Sequence, residues 1–90
     1  MVREILINAS EMEAPQPFEE VLKRVKELQP DEYIHMLHRK QPLPLVQLLE
    51  ENGYAIIIRE GQSTPWEIFI WNKSEPLTNH YCQIHFKSES

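Results

Sequence analysis

The chain has 90 residues and a formal net charge of -5. That is enough for one small domain, and the sign of the charge argues against a general grip on phosphate backbones. With 41% apolar and 26% charged residues it has a globular mixture, and no apolar run approaches the roughly 20 residues that a membrane helix needs.

Arg3–Asn8 carries the apolar run Ile5-Leu6-Ile7 and reads as a buried strand. Ala9–Pro17 is a loop. From Phe18 onward, Phe18, Val21, Leu22, Val25 and Leu28 recur at helical spacing, with charged residues on the opposite face. Pro17 suits the first helical turn, where a missing N–H costs nothing. Glu19 and Glu20 suit the positive end of the helix dipole, and Pro30 stops the helix. Glu32–His38 alternates as a second strand, with Ile34 and Met36 on one face and Tyr33, His35 and Leu37 on the other. A second helix starts near Pro42–Pro44, carries Leu45, Leu48 and Leu49, and ends at Gly53. Tyr54–Arg59 and Trp66–Trp71 are two further strands, joined by a hairpin turn over Gly61–Pro65. The seven prolines fall between these segments, not inside them.

The order β-α-β-α-β-β predicts an α+β two-layer sandwich. A mixed four-stranded sheet carries both helices on one face. The other face holds Tyr33, Leu37, Phe69 and Trp71, an aromatic patch of the kind that marks an interface. Lys73–Ser90 reads as a tail whose Tyr81, Ile84 and Phe86 cover this face, or a second subunit covers it in a homodimer.

Ile7-Asn8-Ala9, then Ala14-Pro15-Gln16-Pro17 and an amphipathic helix, resembles the opening of the TusA or SirA-like sulfur carriers. Those proteins place Cys-Pro-x-Pro at the helix start and share the two-layer sandwich. The closer likeness is to an uncharacterised TusA-like domain family without that cysteine. It rests on the stretch from Leu37 to Leu45, on Glu51-Asn52-Gly53-Tyr54, and on Trp66 opening the last strand. The resemblance implies a TusA-like domain over residues 1–72 and a C-terminal tail over 73–90. Here the carrier cysteine is Ala14, the aspartate of the opening strand is Asn8, and Gln41 stands where relatives often have an acid.

Sulfur transfer needs a thiolate, and Ala14 has none, so that chemistry is missing from its expected place. Cys82 is the only thiol, too few for an intrachain disulfide, which fits a reducing and hence cytoplasmic setting. The N-terminus carries no long apolar signal region. His80, Cys82 and His85 are metal-ligand types within six residues, yet no paired-ligand spacing accompanies them. They remain weak candidates for zinc or iron, and no metal or other cofactor is expected.

The best local site is the edge of the sheet where the parallel first and second strands end and both helices begin. Ligands of open α/β sheets bind outside such strand ends, and helix N-termini offer N–H groups to anions. Asn8, Glu13, Gln16, His38, Arg39, Lys40 and Gln41 gather there. The expected function is a non-catalytic module binding a small anionic ligand or a protein, with no nucleic acid and no membrane. The alternatives are a sulfur-handling or redox accessory protein using Cys82, and a metal or haem accessory protein.

Overall fold

In the computed structural model, which describes residues 1–13 and 15–87, seven elements form. β1 (Arg3–Asn8) turns Ile5 and Ile7 inward and leaves Leu6 exposed, as strand alternation requires. α1 (Gln16–Glu27) begins two residues before Phe18, because the Gln16 N–H reaches the Glu13 carbonyl and Pro17 fits inside the first turn. Its buried stripe is Pro17, Val21 and Val25. β2 is Glu32–His38, and α2 is Leu43–Glu51. α2 ends where Gly53 takes φ of +88°, a conformation that costs a residue with a Cβ. β3 (Tyr54–Glu60) and β4 (Trp66–Asn72) each run one residue further than their alternation implies.

The sheet order is β1-β2-β4-β3. β1 and β2 are parallel, whereas β4 is antiparallel to both of its neighbours, so the sheet is mixed. Ile7, Ile34, Met36, Ile68 and Ile70 line one face and pack against Val21 and Val25 of α1 and Leu45 and Leu49 of α2. The α+β sandwich with both of these helices on one face is therefore the fold.

The segment after β4 is not a loose tail. After a turn it forms a third helix, α3 (Pro76–Phe86), on the opposite face of the sheet. Cys82 is fully buried against Tyr33, Phe69 and Trp71, with Tyr81 and Phe86 packed around them. The Phe69 and Phe86 rings stack with centroids 4.0 Å apart. The Trp71 indole N–H donates to Asn79 Oδ1 at 2.8 Å, and the Thr78 hydroxyl donates to the Pro30 carbonyl at 2.6 Å.

This corrects the surface expected at Tyr33, Phe69 and Trp71. All three are buried beneath the chain's own helix, so none is presented to a partner, and only Leu37 of that group stays part-exposed. Ile84, expected to help cover the face, points to solvent with Leu77. Residues 88–90 lie outside the described residues.

Candidate functional site

Strand parity positions the site. Ile34, Met36 and His38 are alternate residues of β2 and share the face that carries α1 and α2. Ile34 and Met36 are sealed in the core, whereas His38 ends the row at the rim, where the loops leading into both helices meet. A cavity of about 420 Å³ opens there, lined by Met12, Glu13, Pro15, Pro17, Phe18 and Met36 on one side and by His38–Pro42, Pro44 and Leu45 on the other. Small-molecule pockets run from roughly 300 to 1,000 Å³, so this one is of binding size.

His38 is the most buried polar group of the lining, 8% exposed. The Arg39 backbone N–H donates to its Nδ1 at 2.9 Å. A ring nitrogen that accepts a hydrogen bond carries no proton, so the neutral ring keeps its proton on Nε2. Burial first, then the charges of Arg39 and Lys40, push the His38 pKa below its ordinary 6.5. At neutral pH it is therefore an uncharged donor through Nε2. Among the described residues no side chain or backbone group takes that hydrogen bond.

Arg39 spans the rim. Its guanidinium donates to the Met12 carbonyl at 3.3 Å and stands 3.9 Å from the Glu13 carboxylate. The Glu13 side chain is 90% exposed, so this ion pair is a weak, solvated one. Lys40 is exposed and has no ion-pair partner among the described residues.

Five of the residues expected at this edge do line the cavity: Glu13, His38, Arg39, Lys40 and Gln41. Asn8 and Gln16 do not. The Asn8 carboxamide turns back to accept from the Ser10 backbone N–H at 3.1 Å and its hydroxyl at 2.7 Å, forming a local turn. Gln16 lies exposed in the first turn of α1. Ala14, where the resemblance to sulfur carriers leads one to expect a cysteine, lies outside the described residues.

The expectation of N–H crowns at the helix starts is also corrected. Pro15, Pro17, Pro42 and Pro44 supply no N–H. Four of the remaining donors are taken: Gln16 is bonded to Glu13, Glu19 to Pro15, Leu43 to Gln41 and Leu45 to Pro42. Neither helix has a side-chain cap.

A second polar cluster went unnoticed in the sequence. His35 Nε2 lies 2.9 Å from Glu67 Oε1, and its Nδ1 lies 3.3 Å from Glu4 Oε1 without a hydrogen bond. Tyr33 donates to the same Glu4 oxygen at 3.0 Å. Burial first, then Glu4, raise the Tyr33 pKa, so the phenol stays a donor. His35 stacks on Phe69, and the Arg59 guanidinium lies 4.7 Å from the Phe69 ring and 3.9 Å from the same Glu67 oxygen. Strand parity alone places His35 and Glu67 on the α3 face, and the β1–β2 register adds Glu4. The cluster borders the aromatic core beneath α3, with His35 Nδ1 left without a hydrogen bond among the described residues.

α3 separates the residues weighed as metal ligands. Cys82 points into the core, whereas His80 and His85 are exposed. His85 Nδ1 is engaged by the Tyr81 carbonyl at 2.8 Å. Among the described residues no group of three or more histidines, cysteines or acids is placed to hold a metal ion. Burial pushes the Cys82 thiol up to about 12, which removes the thiolate that redox or sulfur chemistry would need at neutral pH. Among the described residues no helix is long and apolar enough to cross a membrane.

No curated protein and no solved structure matches the chain. A family model described as an uncharacterised conserved protein, DUF2249, matches residues 6–72, which run from β1 to the end of β4 and include every lining residue of the cavity. On that match, the chain belongs to the uncharacterised conserved protein family DUF2249.

Proposed function

We propose that the chain is a small binding module without catalytic chemistry of its own, acting in the cytoplasm, and that its ligand occupies the cavity at the ends of β1 and β2. The observation that carries this reading is the tautomer of His38. A buried, uncharged imidazole whose Nδ1 accepts from the Arg39 N–H is a fixed donor at the mouth of an apolar cavity. Ligand pockets combine apolar walls with a few placed polar groups in just this way. Arg39 and Lys40 beside it favour an acceptor that carries negative charge.

In this reading the family is a branch of the TusA-like sandwich. It keeps the proline-rich helix start and has exchanged a sulfur-carrying side chain for a cavity. Cys82 plays no part.

The test is a ligand-observed NMR screen of small polar fragments against the wild-type chain and His38→Ala. Hits should lose about tenfold in affinity in His38→Ala, the worth of one buried hydrogen bond to a charged acceptor. Hits that bind both proteins equally would remove the pocket from the account.

A further inference from the structure

We propose, resting on the reading of this cavity as a ligand site, that its ligand is a carboxylate carried on an apolar body, rather than a phosphate or a neutral molecule. Three observations carry this.

The first is the wall. Pro17, Phe18, Met36, Pro42 and Leu45 surround the cavity with hydrocarbon and an aromatic ring. A small inorganic ion would leave this surface unfilled, whereas an alkyl or aryl group would bury it.

The second is the charge balance. The lining carries two permanent cations, Arg39 and Lys40, and one carboxylate, Glu13. With His38 uncharged, the site has one excess positive charge, which a monoanion neutralises. Among the described residues the guanidinium of Arg39 is held only by a carbonyl at 3.3 Å and by an exposed carboxylate at 3.9 Å. An incoming carboxylate can replace the Glu13 contact with a forked one.

The third is what the helix starts lack. Phosphate sites at helix N-termini draw on several free backbone N–H groups. Here four prolines remove donors from the two helix starts, and the Gln16, Glu19, Leu43 and Leu45 donors are already spent on backbone carbonyls, so that Phe18 alone is left in the first turn of α1 and no crown of several N–H groups faces the cavity. Two side-chain cations and the Nε2–H of His38 satisfy the oxygens of a carboxylate, but fall short for the three oxygens and second charge of a phosphate monoester.

The experiment is calorimetric titration of the full chain at pH 7.5 and fixed ionic strength with phenylacetate, phenylacetamide and phenyl phosphate, with amide resonances of 39–45 followed in parallel. Phenylacetate should bind about tenfold tighter than its amide and than phenyl phosphate. Arg39→Gln should abolish the preference for phenylacetate over the amide, with binding of the acid falling about tenfold. Lys40→Gln, at an exposed side chain, is the second variant and should narrow the same preference.

Equal binding of acid and amide, or tighter binding of phenyl phosphate, with shifts still at 39–45, would overturn the carboxylate and leave the pocket standing. The absence of shifts at 39–45 with all three probes would overturn both.

Discussion

His38 ends the helix-facing row of β2, and its ring chemistry is set by the residue that follows it. Because the Arg39 N–H occupies Nδ1, protonating the ring breaks that hydrogen bond and places a third positive charge beside Arg39 and Lys40. The folded-state pKa therefore lies below the unfolded value near 6.5. The linked stability is present above that value and is lost as pH falls through the lowered folded pKa. Thermal unfolding between pH 7.5 and 5 should show a smaller loss of stability in His38→Gln than in the wild type. Parallel pH profiles would contradict the placement of His38. Cys82 is expected to be silent: Ellman's reagent at pH 8 should leave the folded chain unmodified and titrate one thiol after denaturation, since burial holds the thiol up at about 12. Rapid labelling of the folded chain would reopen sulfur chemistry.

α3 depends on a few directional contacts more than on an apolar stripe. Its buried positions are Thr78 and Cys82, while Leu77 and Ile84 face solvent. Asn79→Ala should leave the buried Trp71 indole N–H without its acceptor and cost about 1–3 kcal/mol in urea unfolding, with Asn79→Asp largely restoring it. A loss below about 0.5 kcal/mol would mean that the indole finds water, and that α3 is held by its rings, Cys82 and the Thr78 bond.

The same helix shows where reading a sequence stops. β1 and β2 were legible to the residue, because Ile5-Leu6-Ile7 and the alternation from Tyr33 to His38 have one simple interpretation. α3 was not, because Leu77 and Ile84 advertise apolar positions that face solvent, whereas the helix buries Thr78 and Cys82. The cavity was legible in outline: parallel β1 and β2 had to end beside the two helix starts. That Asn8 turns back on Ser10, and that the Gln16, Glu19, Leu43 and Leu45 donors at those helix starts are spent on backbone carbonyls, depends on loop geometry that spacing does not encode.

The fold divides its sheet between two tasks. One face builds the main core with α1 and α2 and leaves a cavity where β2 ends; the other is closed by α3 over the aromatic rings, with the Glu4–His35–Glu67 cluster at its border. With Tyr33, Phe69 and Trp71 already covered, the cavity is the larger concave surface with charged groups at its rim. The second cavity, of about 340 Å³ between α1 and α2, offers Lys26 as its one charged group. Ligand binding at the ends of β1 and β2 is therefore the measurable consequence of this fold, and amide shift mapping of the full chain against a mixture of small carboxylates and neutral fragments locates it. Shifts concentrated at Met12, Glu13, Phe18 and Arg39 to Leu45 are the predicted result. Shifts centred on α3, on His35, or on Leu22 and Leu48 would contradict it.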